Sequence, residues 1–171
     1  NNYAYISFNF GPTLLSWLDN NHPEVVDSLR EADRDSIKRL GHGNAIPQGF
    51  NHTILPLDKE ENARLQIAWG IEDFQYHFNR DPEGMWLPEC AVNETVIDLL
   101  SQAGIKFIIL SPWQCNAVEN EEGKIIELGS NPAPYREPYI LTGKRGGEIT
   151  AFFYEPSLAS GISFGHYLRN A

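Results

Sequence analysis

Residues 83–110, "EGMWLPECAVNETVIDLLSQAGIKFIIL", constrain the fold of this chain more than any other stretch. "GMWL" is a short apolar run, and Pro88 after it holds the backbone extended. Asn93 is placed to cap a helix whose apolar set is Val96, Ile97, Leu99, Leu100 and Ala103, and Gly104 closes it at the C′ position. "IKFIIL" follows as a continuous apolar run of the kind buried on both faces of a parallel sheet. Strand 83–87, helix 94–103 and strand 105–110 therefore form a βαβ unit, which makes the chain α/β. At 171 residues it is long enough for one domain with its own core.

The other elements fit around that unit. "YAYISFNF" (3–10) reads as a buried strand halted by Gly11-Pro12, and "PTLLSWL" as a short helix with proline in its first turn. Val25, Val26, Leu29, Ala32, Ile37 and Leu40 recur at helical spacing, predicting a helix from about 23 to 39 that Gly41 and Gly43 end. "GHGNAIPQGFNHTILPLDKE" has too many glycines and prolines for a regular element and reads as a folded, partly buried loop, a length usually associated with function. After Asp58 as cap, Ala63, Ile67, Ile71, Phe74 and Phe78 predict a long amphipathic helix ending before Asp81-Pro82. "KIIEL", "PYIL" and "EITAFFY" read as strands, and 156–169 as a final helix.

Charge excludes some functions. With 13 Lys+Arg against 23 Asp+Glu the net charge is −10, and no basic cluster could neutralise a row of phosphates, so nucleic acid is not an expected partner. No apolar run approaches the roughly 20 residues that span a bilayer, and the first residues lack signal-peptide order. A cytoplasmic protein without membrane attachment is the expectation. Cys90 and Cys115 lie 25 positions apart without a CxxC pattern, which favours free thiols over a disulfide or a zinc site. The sole methionine is Met85 and the chain enters its first strand almost at once, so it reads as a piece of something longer.

Catalytic groups on parallel strands come from the strands' carboxyl ends and the loops just beyond. Glu89 stands at such a place. Trp86 offers a flat face of the sort sugars stack on, and a carboxylate beside an aromatic platform suits glycoside chemistry, where an anion esterifies or stabilises an oxocarbenium-like centre. An acid entering the first turn of a helix is equally explained by the helix dipole. Trp113, directly after "IILSP", should face the same end as Glu89, as a sugar platform or a rim tryptophan. Asn9 ends the first strand and can reach a substrate hydroxyl or serve turn chemistry. His42, Asn44, Asn51 and His52 form a second polar concentration, open to sugar hydrogen bonding, loop packing or metal ligation, although the two histidines lack HxH or HxxxH spacing. His22, His77 and His166 read as surface helix residues.

"GMWLPECAVNETVIDLLSQAGIKFIILSPWQ" resembles glycoside hydrolase family 57, whose third signature is a Trp-Leu-x-Glu run matched by Trp86, Leu87, Pro88 and Glu89. "ISFNFGPTLLSWL" and "GHGNAIPQGFNHTILPL" are similar to the large bacterial members, so the resemblance runs from about residue 5 to 154. It implies a retaining enzyme on α-linked glucans, of amylase, branching-enzyme or 4-α-glucanotransferase type. It also implies part of a distorted seven-stranded (β/α) barrel of the glycoside hydrolase/deacetylase type, with neither metal nor other cofactor. Glu89 would be the nucleophile, with Trp86, His42, Asn44, His52, Trp113 and Asn9 as substrate-binding candidates. The family's His-x-His-Gln-Pro strand and its acid-bearing aspartate motif have no match, so residues 1–171 read as a single incomplete domain lacking the general acid. Glu155 is the one local stand-in. The alternatives are a metal-dependent carbohydrate deacetylase using His42 and His52, and a carbohydrate-binding domain without turnover.

Overall fold

Parallel pairing runs from the first strand of the chain to the last. The computed structural model describes residues 1–169. Strand β1 (Phe8–Asn9) pairs in parallel with β2 (Ala45–Ile46), Phe8 against Ala45 and Asn9 against Ile46. A parallel bridge between Gln48 and Trp86, with the Trp86 N–H donating to the Pro47 carbonyl at 2.8 Å, joins this pair to β3 (Gly84–Met85). Next come β4 (Phe107–Leu110) and, beyond the β5–β6 hairpin (Ala117–Glu119, Ile125–Glu127) and β7 (Tyr139–Thr142), the longest strand, β8 (Glu148–Phe153). β4 lies between β3 and β8, parallel to both, and β7 borders β8 antiparallel. Five strands thus point one way, as a part of a parallel barrel requires; among the described residues the run stays open.

The helices follow from local signals. α1 (Pro12–Asn21) starts on proline behind Gly11, turns sharply at His22, and α2 (Pro23–Leu40) starts on proline again. Gly41, at φ 82°, ends α2, with Glu24 in its first turn and Lys38 and Arg39 in its last, each complementing the helix dipole. α3 (Glu60–Phe78) ends on left-handed Asn79, and α4 (Glu94–Gln102) is capped by Asn93, which accepts from the Val96 N–H at 2.9 Å. The main core buries Met85, Leu87, Ile108, Leu110, Ile149 and Ala151 against Val96, Leu100 and Ile67. Burial alternates along β8: Ile149, Ala151 and Phe153 face this core, while Phe152 is 43% exposed on the other face. At Gly70, α3 comes so close to the second strand that a Cβ would sit on the Gln48 carbonyl.

Several expectations need correction. Only Phe8–Asn9 of the expected strand 3–10 is strand; Asn2–Ala4 forms a 3-10 turn capped by Asn1. There Tyr3, Phe8 and Phe10 pack edge to face, with centroids 5.0–5.9 Å apart, and that packing bends the chain. The loop after α2 hides strand β2, whose two residues are too few to show a period. Asp58 does not cap α3; it accepts from the Thr53 hydroxyl at 2.5 Å, and α3 starts after Lys59. The last helix, α5, spans only Pro156–Ser163, with no buried residue to extend it. His77 is no surface residue: at 4% exposure it continues the buried stripe Ala63, Ile67, Gly70, Phe74, enclosed by Asp19 of α1 and Asp73 one turn back.

Two buried carboxylates anchor the amino-terminal ends of the strands. Asp33 of α2, 1% exposed, accepts from the Ala45 N–H at 2.8 Å and takes both arms of Arg80 at 2.8 and 2.9 Å, while Arg80 also donates to the Ala45 carbonyl. β2 is thereby fixed to α2 and to the loop after α3. Asp98 of α4, equally buried, accepts from the Arg145 and Gly147 N–H groups at 2.9 and 3.0 Å and holds the β7–β8 turn. Desolvation works to raise its pKa, but those two N–H groups and the Arg145 charge prevail and hold the carboxyl below its usual range.

Replacing Asp33 by Ala strands the partly buried Arg80 charge and the buried Ala45 N–H, so urea unfolding should show a loss of about 2–4 kcal/mol. Asp35→Ala, which removes only an exposed Lys38 pair, should change stability by less than about 0.5 kcal/mol. For His77, burial lowers the pKa, yet hydrogen bonds to Asp73 and the charges of Asp73 and Asp19 outweigh it and lift it above the ordinary 6.5. Its stabilising contribution is therefore complete below pH 6.5 and lost as pH rises through the folded value. An NMR titration of the His77 ring should give a midpoint above 6.5 in the folded protein; a midpoint at or below it contradicts this assignment.

Candidate active site

The strands' common direction brings the carboxyl ends of β1, β2, β3, β4 and β8 to one edge. Asn9, His52, Trp86, Glu89, Trp113 and Glu155 all follow or end these strands. His42 and Asn44 precede β2 and so lie at the opposite end, where His42 neighbours Ser7, Glu83 and Lys106, the residues before β1, β3 and β4. Asn44 is buried and its amide is used internally, accepting from the Ser36 hydroxyl at 2.8 Å and donating to the Tyr3 carbonyl at 3.2 Å. His42 is exposed and its Nδ1 stands 3.2 Å from the Gly43 carbonyl oxygen. The structure thus separates His42 from His52 along the strand direction. Among the described residues no three His, Cys, Asp or Glu side chains converge as a metal site would require.

The turn after β3 is the most unusual backbone in the molecule. Pro88–Cys90 form a 3-10 turn in which Glu89 (φ 55°, ψ 19°) and Cys90 (φ 54°) are both left-handed, a region that side chains with a Cβ rarely enter. Each such residue costs about 1–3 kcal/mol, and a strained pair persists only where its surroundings over-determine it. Here the Cys90 N–H donates to the Leu87 carbonyl at 2.9 Å and the Ala91 N–H to Pro88 at 3.0 Å. The Cys90 side chain is buried beneath, 6% exposed, and Asn93 caps α4 three residues on. Gln114 completes the enclosure, donating to the Cys90 carbonyl at 2.9 Å while accepting from the Ser111 N–H at 2.9 Å. Sequence reasoning did not single out Gln114, although Ser111-Pro-Trp-Gln114 is a legible capping box. The consequence of the turn is that Glu89 points out of the core, exposed, at the strand end.

The other groups at this edge vary in freedom. Trp86 is half-buried, Trp113 is 58% exposed, and His52 is exposed with φ 56°. Asn9 donates its amide to the Ile46 carbonyl at 2.7 Å, which ties it across β1 and β2 and leaves its oxygen available. Glu155 caps α5 by accepting from the Leu158 N–H, and that bond, with the Ser157 and Tyr135 contacts, lowers its pKa against a smaller opposing effect of desolvation. A general acid needs the opposite shift.

The family model described as Glycosyl hydrolase family 57 matches residues 2–170. The chain belongs to this family. Among curated relatives of this family 57 chain, an alpha-amylase 1 of Dictyoglomus thermophilum is 29% identical over 106 residues, 61% of this chain and 15% of that protein. A 1,4-alpha-glucan branching enzyme of Thermococcus kodakarensis is 34% identical over 84 residues, 45% of this chain and 12% of that protein. The chain therefore spans a small part of the relatives it matches. The crystal structure of a 4-alpha-glucanotransferase from Thermococcus litoralis shares the fold, with a TM-score of 0.70 at 24% identity, over 98% of this chain and 24% of that one.

Burial, then the Glu89 charge, push the Cys90 thiol above its ordinary 9.0, against a smaller lowering by the Ser111 backbone. Less thiolate and less access make Cys90 slow to alkylate. Iodoacetamide at pH 8 should label half-buried Cys115 first. Glu89→Gln, by removing the adjacent charge, should speed Cys90 labelling; an unchanged rate would contradict the placement of the carboxylate beside the thiol.

Proposed function

We propose that this chain carries the nucleophile of a retaining enzyme on α-linked glucans, and that the nucleophile is Glu89. The observation that supports it most is the location of the family 57 Trp86-Leu87-Pro88-Glu89 run. It follows a parallel strand and ends in a strained turn that leaves Glu89 exposed three residues beyond Trp86. The relatives named alpha-amylase, branching enzyme and 4-alpha-glucanotransferase support the substrate class.

In this reading a glucosyl ring lies against Trp86, with Trp113 as a further platform and Asn9 and His52 within the same edge for hydroxyl contacts. A carboxylate oxygen of Glu89 bonds to the anomeric carbon as the bond from that carbon to the leaving oxygen breaks. A second carboxylic acid, about 5 to 5.5 Å from the first, gives its proton to the leaving oxygen. Glu155 does not suit that role, being committed to the α5 cap and held ionised. The glycosyl ester is then opened by water or by a sugar hydroxyl, and exclusion of water from the acceptor side decides between hydrolysis and transfer. His42 and Asn44 take no part, because they stand at the other end of β2. The free thiols Cys90 and Cys115 fit a cytoplasmic setting, and among the described residues no helix is long and apolar enough to cross a membrane.

Trapping with 5-fluoro-α-glucosyl fluoride tests the nucleophile without the acid, since fluoride leaves unprotonated. Intact mass and peptide mapping on the longest natural chain containing these residues should show one fluoroglucosyl group on Glu89. Glu89→Gln should abolish labelling and lower kcat on malto-oligosaccharides on the order of a thousandfold or more. An adduct on another residue, or none, would overturn the assignment.

A further inference from the structure

The two strand-end loops of this edge meet through one side chain. Gln114 uses both faces of its amide: Oε1 closes the turn at Ser111 and Nε2 crosses to the carbonyl of left-handed Cys90, each at 2.9 Å. The loop it stands on is itself held, because the Ala133 N–H donates to the Pro112 carbonyl at 2.9 Å and Ala133 is fully enclosed. Gln114 therefore transmits a fixed position from the end of β4 to the turn after β3. That turn needs such a support. Glu89 and Cys90 are both relieved only if both φ angles return to negative values, and rotation about the Glu89 N–Cα bond would swing its side chain away from the direction it now takes.

Resting on the reading of Glu89 as nucleophile, we propose that Gln114 is its positioning residue, holding the left-handed Glu89–Cys90 turn through the Cys90 carbonyl so that the carboxylate meets the anomeric carbon. It touches neither substrate nor Glu89, so its effect belongs to the rate of glycosyl-enzyme formation and not to substrate affinity. One neutral hydrogen bond shifts a two-state turn by roughly two- to twelvefold. A misplaced reacting group adds to that, up to about a hundredfold.

The experiment measures the rate of 5-fluoro-α-glucosyl fluoride labelling for wild type, Q114E and Q114M, on the longest natural chain, from pH 7.5 to 4.5. Near-UV circular dichroism confirms each fold. At pH 7.5 the Q114E carboxylate still accepts from the Ser111 N–H but repels the Cys90 carbonyl, so labelling should slow about tenfold or more. The fluoride concentration giving half-maximal rate should change less than about twofold. Lowering the pH toward the ordinary glutamate value of about 4.3 restores a donor to Cys90. The ratio of Q114E to wild-type rate should then climb toward one. Q114M, which can neither donate nor accept, should remain slow at every pH. A Q114E rate equal to wild type at pH 7.5, or a deficit that does not change with pH, overturns the proposal. A wild-type chain that takes no label removes the Glu89 reading and this role with it, whereas a wild type labelled on Glu89 with unaffected variants removes only this role.

Discussion

The parallel bridge between Gln48 and Trp86 joins two short pieces of sheet into one run of five strands with a common direction. Direction is what matters for function here. Strands of two to six residues cannot place a catalytic group by their length, but aligned strands deliver all their carboxyl ends to a single edge. Gly70 makes the bridge possible, since α3 packs directly on the Gln48 carbonyl and a side chain there would push the strand away. The Phe50 N–H, donating to the Gln66 carbonyl on α3, holds the chain just after it.

Polar anchoring and strain divide between the two ends of the sheet. At the amino-terminal end Asp33 and Asp98 are buried with their partners nearly complete, binding backbone N–H groups of β2 and of the β7–β8 turn. Breaking such groups leaves unpaired charge in the core, so that end is rigid. At the carboxyl end the left-handed Glu89 and Cys90 hold conformational strain, and neighbouring hydrogen bonds oppose its release. Rigid support below and an over-determined turn above are what the nucleophile role proposed for Glu89 requires.

The βαβ unit was legible because each of its signals is local: Asn93 as cap, Gly104 as stop, and "FIIL" as a continuous apolar strand. The carboxyl-end location of Glu89 followed from that unit and from the Trp-Leu-x-Glu run. β2 was not legible, since two strand residues carry no period and their pairing with β1 comes from 37 positions away. His77 was misread for a related reason: a histidine on a helix is judged by its own polarity, while the enclosure comes from Asp19 on another helix. That Asn44 and His42 stand at the opposite end of β2 from Glu89 was not legible either, because composition cannot say at which end of a strand a loop residue lies. Gln114 is the mixed case, with its cap visible in sequence and its reach to Cys90 visible only in space.

The most direct test of the account is a crystal structure of the longest natural chain bearing these residues, soaked with a thio-linked malto-oligosaccharide that cannot be cleaved. The account predicts a pyranose ring against the Trp86 face, its anomeric carbon about 3 to 3.5 Å from a Glu89 carboxylate oxygen, with the Glu89–Cys90 turn still left-handed. A sugar bound with Glu89 turned away from its anomeric carbon, or bound at the His42 end of β2, would contradict it.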